Sequence, residues 1–344
     1  MLEPQNQENE EQFDEFGILK IYKSSKRSDA PQPFVMGIDN WHDRIEQWDG
    51  EDNDGKEYGE FEGNGLDIVY TSKHDEKQRL NVYADPSKPE VPDSAEDLDR
   101  TELMNREDED GTKRGGWMAQ SNDWRDYEVT AIEFIPEQPE GHGGDPDDTT
   151  SWYGRGAKHS GSSVNDGSQG CAIKPDLWYS GNEEGWSIMK ETIHYEDWKG
   201  GNDLTTRGKS KGQDNNILES NNFGNLKGKW FGFKTIVYNE PRVESDNSSY
   251  YPVLIETYIC ECDSEGNPDN NWKLGIKGKD DPNEFGAWSS LPDDQPGPHP
   301  HTMSWGGPII TCRTDRESGT GGGYPGMMFK KVSIREIDPG NKFQ

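Results

Sequence analysis

A series of short runs from about residue 127 onward most constrains what this chain can fold into. Each run has the length of one β-strand and combines a hydrophobic stripe with polar or charged side chains. Successive side chains on a strand point to opposite faces, so such a sheet packs one face on a core. The pattern predicts a second, polar and aromatic-rich face that is open to a ligand. The runs span residues 127–135, 152–160, 187–195, 230–238, 253–262, 305–313 and 328–337.

Composition supports an all-β fold for most of the 344 residues. A hydrophobic fraction of 28% would by itself allow disorder, but aromatic residues, which make up 10% of the chain, fall regularly within the runs. Short strands joined by Gly-, Pro-, Asn- and Asp-rich connections are typical of an all-β sandwich or barrel. We expect further strands at 16–22, 34–38 and 79–83. The predicted organisation is an acidic tail at 1–15, one domain with long acidic loops at 16–338, and a short tail at 339–344.

The net charge of −31 restricts the partners of this protein. It argues against nucleic acid, because the phosphate charges would be repelled. An acidic surface confers solubility or adaptation to salt, and clusters of acidic residues alternatively bind cations. No apolar run has the roughly 18–20 residues that cross a bilayer. Residues 1–16 contain neither a basic nor an apolar segment, so we expect no signal peptide.

Four cysteines leave the redox state open. Cys171, Cys260, Cys262 and Cys312 allow three full disulfide pairings, and free thiols are an equal alternative. Cys260 and Cys262 share one face of a strand. They do not form a CxxC pair, and no second pair of metal ligands accompanies them, which argues against zinc.

Polar side chains on two runs suggest a binding face. In the run 152–160, Tyr153, Arg155 and His159 share one face, where Arg and His suit a carboxylate or sugar hydroxyls. In the run 187–195, Lys190 and His194 share a face, and His194 is a candidate general base. The alternatives are a solvated polar face for the first run and a structural histidine for the second.

The later runs add further candidates. Lys234 and Tyr238 lie opposite the core side of their run, and Glu256 and Tyr258 do so in theirs. Arg313 occupies the polar face of the run 305–313. A tyrosine among cations can have a lowered pKa and act as a base. A tyrosine on a polar sheet face is also a platform on which a sugar stacks.

One loop, residues 263–269, has the alternating oxygen ligands that suggest calcium. The candidate ligands are Asp263, Glu265, Asn267 and Asp269. The loop lacks the glycine and the bidentate glutamate of an EF-hand. The alternative is a polar hairpin loop, since Gly, Asn, Asp and Pro favour turns. Calcium is the one cofactor that the sequence suggests.

Several segments of the chain are distinctive. They are GGWMAQSNDWRDYEVT, WYGRGAKHS, KGKWFGFKTIVYN, IETYICECDSEGNPDNNWKL and WGGPIITCRTD, followed by FKKVSIREI. In these segments the chain resembles surface or secreted proteins of the concanavalin A-like jelly-roll superfamily, which are common in marine archaea and other environmental microbes and distantly similar to alginate and glucuronan lyases. The resemblance covers about residues 117–337. It implies a two-sheet antiparallel jelly-roll sandwich whose concave sheet binds polysaccharide.

The resemblance also implies roles for the candidate residues. The lyase pattern has an Arg-x-Glu-Leu strand, a Gln-x-His strand and a late tyrosine. Residues 100–103 have the sequence of the Arg-x-Glu-Leu motif. Lys158-His159 occupies roughly the position of the Gln-x-His motif but lacks its Gln. Arg155 and His159 would neutralise a uronate carboxylate, while Tyr238, Tyr258 or His194 would remove the C5 proton. Substrate contacts would come from Tyr153, Lys190, Lys234, Glu256 and Arg313.

Two functions from different classes follow. The first is an extracellular or surface polysaccharide-binding protein, with β-elimination on a uronate polymer as its possible chemistry. The second is a non-catalytic structural or adhesive subunit of a surface layer, filament or virion, which self-assembles when the N-terminal tail joins a neighbour's sheet. A glycan hydrolase is a weaker third hypothesis, because Glu256 and Glu261 do not share a face as its paired carboxylates must.

Overall fold

The computed structural model describes most of the strands and the segments next to them. The described residues are 11–48, 59–73, 78–84, 123–137, 148–156, 171–179, 185–192, 201–207, 225–245, 248–281, 304, 306–307, 309–316 and 326–343. Within these ranges there are two short 3-10 helices, Trp41–Arg44 and Gly65–Asp67, and no α-helix. No helix in the described part of the chain has the length and apolar character needed to cross a membrane.

Eighteen strands make up the rest of the regular structure in the described ranges. They are β1 (Tyr22–Ser24), β2 (Phe34–Val35), β3 (Ile45–Trp48), β4 (Gly59–Glu62), β5 (Val69–Ser72), β6 (Gln78–Tyr83), β7 (Tyr127–Ile135), β8 (Asp148–Gly156), β9 (Cys171–Trp178), β10 (Gly185–Thr192), β11 (Gly201–Arg207), β12 (Lys229–Asn239), β13 (Val243–Ser245), β14 (Ser248–Tyr250), β15 (Val253–Glu261), β16 (Lys273–Asp280), β17 (Ile309–Arg316) and β18 (Met328–Lys342).

The strands form two large antiparallel sheets, which confirms the predicted two-sheet jelly-roll sandwich. The nine-stranded sheet has the order β16-β15-β12-β7-β18-β5-β4, and β1 and β2 also pair with β18. The seven-stranded sheet has the order β11-β10-β9-β8-β17-β6-β3, and β13 and β14 form a separate hairpin. All seven predicted runs overlap a strand, although the run 152–160 begins late, since β8 starts at Asp148.

The core lies between the two sheets and follows from alternation along the strands. On β12, Phe231, Phe233 and Val237 face inward, and Ile255 and Ile259 do so on the neighbouring β15. Trp152 and Trp186 contribute from the seven-stranded sheet. Burying one large apolar side chain stabilises the fold by about 1.5–3 kcal/mol, so this shared cluster holds the sheets together.

The outer face of the nine-stranded sheet is covered, whereas the sequence predicted an open polar face. Residues 11–24 lie across it, and Tyr22 packs in a second hydrophobic cluster with Ile236, Tyr238 and Leu254. The amide of Leu19 donates to the Asn270 Oδ1 atom at 2.9 Å. The polar side chains of this face tolerate burial because they pair with one another, as described below.

Both predicted tails have described portions that contact the nine-stranded sheet. The Ser333 hydroxyl on β18 donates to Asp14 Oδ2 at 3.2 Å. At the other end, β18 continues to Lys342, which pairs with Tyr22. Residues 11–15 and 339–342 therefore contact the body of their own chain.

Candidate functional site

A cleft of about 590 Å³ opens at the end of the nine-stranded sheet where β7 begins and β12 ends. We call it the Tyr238 cleft. Its volume lies in the range of small-molecule binding sites, about 300–1,000 Å³. The lining residues are Arg125, Asp126, Tyr238, Asn239, Glu240, Pro241, Tyr251, Pro339 and Gly340.

Arg155, on the opposite sheet, contacts three of the residues that line this cleft. Its backbone has φ +61°, a left-handed conformation that is strained for a residue other than glycine. The side chain is fully buried. One terminal nitrogen donates to Asn239 Oδ1 at 2.6 Å, and the other donates to the Arg125 carbonyl at 2.6 Å and to Asp126 Oδ1 at 3.3 Å. Arg155 thus ties β8 to the cleft-forming ends of the other sheet.

Asp126 and Asn239 are held in fixed orientations. Asp126 Oδ1 also accepts the Asn239 amide hydrogen at 2.8 Å, and Arg125 Nε lies 3.3 Å from Asp126 Oδ2. The Asn239 side-chain amide donates to the Ser304 carbonyl at 2.8 Å while its oxygen faces Arg155. Polar groups fixed in this way bind a ligand without losing further conformational freedom.

A buried carboxylate, Glu336, lies behind the cleft wall. It accepts the amide hydrogens of Arg125 and Asp126, both at 3.0 Å, and Arg27 Nη2 lies 3.1 Å away. Burial, together with the charge of Asp126, raises the pKa of Glu336 to about 7. The carboxyl group behind the cleft wall therefore titrates near neutral pH.

The other wall is aromatic. Tyr238 and Tyr251 line the cleft, and the Tyr22 hydroxyl donates to the Tyr238 hydroxyl at 3.1 Å. The Tyr22 hydroxyl also lies 3.3 Å from Glu256 Oε2, and the Tyr258 hydroxyl donates to the same oxygen at 2.8 Å. The predicted residues Tyr238, Tyr258 and Glu256 therefore do come together, on the outer face of the nine-stranded sheet.

Lys234 lies on that same outer face but is engaged with a carboxylate. Its Nζ atom donates to Glu128 Oε1 and to Thr130 Oγ1, both at 2.6 Å, and Arg335 Nη2 lies 2.7 Å from Glu128 Oε2. Burial alone would raise the pKa of Glu128, but the charges of Lys234 and Arg335 outweigh it and hold the pKa below its ordinary value. We refer to Glu128, Lys234 and Arg335 as the buried ion cluster.

The tyrosines do not have the lowered pKa that a base requires. Burial raises the pKa of Tyr238 to about 12, with the nearby Glu256 charge acting in the same direction. Burial and Glu256 also raise the pKa of Tyr258. Negative charge beside a phenol opposes formation of the phenolate, so these positions favour a hydroxyl that remains protonated.

The other predicted binding residues belong to the seven-stranded sheet. Tyr153 is buried on β8 opposite Thr311. Lys190 lies on β10 opposite Ile173, and Arg313 on β17 opposite Ser151. Lys234 therefore lies on a different sheet from Arg155, Lys190 and Arg313. His159, His194 and the residues 100–103 lie outside the described ranges.

The contacts of the loop 263–269 do not fit a calcium ion. Asp263 Oδ1 accepts the amide hydrogens of Glu265 and Asn267 at 2.9 and 2.8 Å, and Asp263 Oδ2 accepts the Asn267 side-chain amide at 2.9 Å. The ammonium groups of Lys330 and Lys331 bind the Glu265 carbonyl and Asn267 Oδ1. The loop oxygens thus face hydrogen-bond donors and two cations. Across the described residues, no three His, Cys, Asp or Glu side chains are grouped as a metal site.

Sequence reasoning missed the residues that build the cleft. Arg125, Asp126, Glu240 and Tyr251 lie just before or after strands, outside the runs that were searched for alternation. The sequence carries only a weak signal for these residues. Charged, amide and aromatic residues stand directly at the ends of strands, where loops often carry binding residues.

Comparison with known proteins shows only distant likeness. No protein-family model matches the chain, and no curated protein matches it. Among solved structures, the Ca²⁺-bound exoplasmic/lumenal domain of VIP36 is 10% identical with a TM-score of 0.35, covering 86% of this chain and 91% of that one. The lectin UEA-II complexed with galactose is 8% identical with a TM-score of 0.36, covering 89% and 98%.

A third solved structure with similar values is an enzyme. Alginate lyase vAL-1 from Chlorella virus is 8% identical with a TM-score of 0.33, covering 81% of this chain and 88% of that one. Likeness at these scores carries no functional inference.

Proposed function

We propose that this protein binds a polysaccharide and that the Tyr238 cleft receives one or a few of its sugar units. The proposal depends on one observation: two tyrosine rings, Tyr238 and Tyr251, line the same cleft as the fixed polar groups of Asp126 and Asn239. Tyrosine offers an apolar ring for a sugar face together with a polar hydroxyl. Carboxylate and amide oxygens accept hydrogen bonds from sugar hydroxyls.

The charges of the cleft favour a neutral glycan over a uronate polymer. Two carboxylates, Asp126 and Glu240, line it together with one cation, Arg125, so the lining has a net negative charge. Arg155 is buried and bound to Asn239 and Asp126, so its charge is engaged within the protein. A polyanionic chain would also meet a protein of net charge −31. An extracellular or surface location, as the sequence resemblance implies, would expose the cleft to such glycans.

The described residues support binding better than they support β-elimination. The elimination requires a cation at the uronate carboxylate and a base at C5. Among the described candidates, Arg155 is enclosed, and the pKa values of Tyr238 and Tyr258 are raised. The described tyrosines therefore serve better as contacts than as bases.

A glycan array followed by calorimetry on its best neutral ligand tests the proposal. Tyr251→Ala and Glu240→Gln should each weaken binding by about tenfold, the loss expected from about 1.4 kcal/mol of ring or hydrogen-bond contact. Matched controls are Phe13→Ala, an exposed ring, and Glu244→Gln, an exposed carboxylate outside the cleft. The controls should bind as the wild type does.

Two outcomes would contradict this function. Binding that survives both cleft substitutions would place the glycan elsewhere on the molecule. An unsaturated product that absorbs ultraviolet light during incubation with alginate or glucuronan would show elimination instead of binding alone.

A further inference from the structure

The ladder between β7 and β18 ends just before the Tyr238 cleft. Its last register pair joins Tyr127 to Glu336, and β7 begins at Tyr127. The backbone amides of Arg125 and Asp126, two residues that line the cleft, therefore lie beyond the ladder. A side chain replaces the strand partner there. Glu336 Oε1 accepts the amide hydrogen of Asp126 and Glu336 Oε2 accepts that of Arg125, both at 3.0 Å.

The Glu336 carboxyl group is enclosed by the protein and holds a residue on which other cleft groups depend. It shares a face of β18 with the core residue Ile334, two positions earlier, and Glu336 is 4% exposed. The Ile337 amide donates to the Asp126 carbonyl, so β18 holds Asp126 at both its amide and its carbonyl. The Asp126 side chain in turn accepts the Asn239 amide hydrogen. The position of these polar cleft groups therefore depends on one carboxylate.

Only the ionised form of Glu336 can accept all of the bonds offered to it. Arg27 Nη2 lies 3.1 Å from Oε1 as a third donor. Protonation turns one carboxyl oxygen into an O–H donor, which then faces an N–H group instead of an acceptor. A buried N–H group that loses its partner destabilises the arrangement that contains it. The charged and titratable groups that interact with Glu336 are Arg27 after β1, Asp126 and Tyr127 at the start of β7, and Arg155 on β8.

We propose that Glu336 is a positioning residue of the Tyr238 cleft, whose ionised form holds Arg125 and Asp126 in the geometry that binds a neutral glycan. This role rests on the proposed function of the cleft. Burial, followed by the charge of Asp126, raises the pKa of Glu336 to about 7, while Arg27 acts in the opposite direction. The carboxyl group is therefore ionised above neutral pH. Glycan affinity should rise as the pH rises through 7 and level off above it.

Calorimetry with a neutral glycan from pH 5 to pH 8 tests this role, since such a ligand has no group that titrates in this range. The wild type should bind about tenfold more weakly at pH 5 than at pH 8, the loss expected from about one hydrogen bond. Glu336→Gln keeps the shape of the side chain but never carries the charge. Its affinity should be low at every pH.

Glu133→Gln is the matched control. Glu133 also has a pKa of about 7, but it bonds to Thr150 and Trp152 in the core and does not line the cleft. This variant should keep the pH profile of the wild type. A profile that becomes flat in Glu133→Gln would assign the pH dependence to the core and overturn the role of Glu336.

Arg27→Gln provides a second test if Glu336→Gln fails to fold. Because the Arg27 charge favours the ionised form of Glu336, its loss should move the midpoint of the affinity profile to higher pH. A midpoint that does not move would show that another group causes the pH dependence.

A measurement without ligand separates this role from the proposed function. In nitrogen-15 NMR of arginine- and aspartate-labelled protein, the amide signals of Arg125 and Asp126 should shift with a midpoint near pH 7. They should stay constant in Glu336→Gln. If the signals shift but no glycan binds, the positioning role stands and the proposed function fails. If a glycan binds with the same affinity at every pH, or the signals do not shift, the positioning role fails.

Discussion

Glu133 is a carboxyl group inside the apolar core, and replacing it changes how stability depends on pH. It projects from β7 between the two sheets and is fully buried. Trp152 Nε1 donates to one of its oxygens at 2.7 Å and Thr150 Oγ1 to the other at 2.9 Å. Burial raises the pKa of Glu133 to about 7, and these two hydrogen bonds only partly oppose the rise.

The direction and size of the effect follow from proton linkage. Between pH 4.5 and about 7, the unfolded chain releases the Glu133 proton while the folded protein keeps it. Stability is therefore greatest below pH 4.5 and is lost as the pH rises through 7. At about 1.4 kcal/mol for each pKa unit, the rise from 4.5 to about 7 corresponds to roughly 3 kcal/mol.

Glu133→Gln removes this titration and preserves the shape of the side chain. The amide oxygen can accept from Trp152, and the amide nitrogen can donate to the Thr150 hydroxyl, which rotates to accept. Urea unfolding followed by tryptophan fluorescence, at intervals from pH 5 to pH 8, gives the free energy of unfolding of both proteins. The wild type should lose about 2–3 kcal/mol relative to the variant over this range.

Only the difference between the two proteins is informative. Glu336 also has a pKa of about 7 and contributes the same slope to both, so its effect cancels. A difference that stays constant from pH 5 to pH 8 would refute the reasoning, as would a wild type that gains stability relative to the variant.

Three further predictions concern other parts of the fold. Lys234→Met should lower the free energy of unfolding in urea by about 3–5 kcal/mol, because it leaves the buried Glu128 with one cation fewer. The double variant Lys234→Met, Glu128→Gln should recover part of this loss. A double variant as unstable as Lys234→Met alone would contradict the explanation. Gly154→Ala should lower the free energy of unfolding by about 1–3 kcal/mol in the same assay, since a Cβ atom there would lie 2.6 Å from the Tyr127 hydroxyl. A variant as stable as the wild type would show that the sheets move apart freely. The melting temperature should be the same in calcium and in a chelator, as the contacts of the loop 263–269 indicate, and a rise with calcium would argue for a cation site.

Alternation of side chains was enough to predict the central strands. β12 and β15 are long, rich in β-branched and aromatic residues, and apolar on one side, so their pattern survives in the sequence alone. The strands β9, β11 and β16 were not predicted, each for a different reason. Pro175 interrupts β9, β11 is mostly polar, and the edge strand β16 carries two glycines and three lysines. Such strands form because a neighbour supplies their pairing, which no local pattern encodes.

The candidate site depends on contacts between distant residues, and alternation could not reveal them. Lys234 lies on the side of β12 that faces away from the core, and its partner Glu128 lies 106 positions away in the chain. Arg155 likewise meets Asn239 at a separation of 84 positions. A charged residue on a polar face therefore has two possible fates, a solvated face or a buried ion pair, and only the folded structure distinguishes them.

The position of β18 in the sheet has a consequence for how the chain reaches its native state. This strand is the last in the chain, yet it lies between β7 and β5 and also pairs with β1 and β2. Asp126 and Glu336, which bond where β7 meets it, are 210 positions apart. Contacts this distant in sequence slow folding. During synthesis β7 must wait for about 200 residues, and β1 and β2 for about 300, before their partner exists. The earlier strands are therefore exposed to aggregation for most of translation, and a shortened chain that lacks β18 would leave the centre of the sheet unpaired.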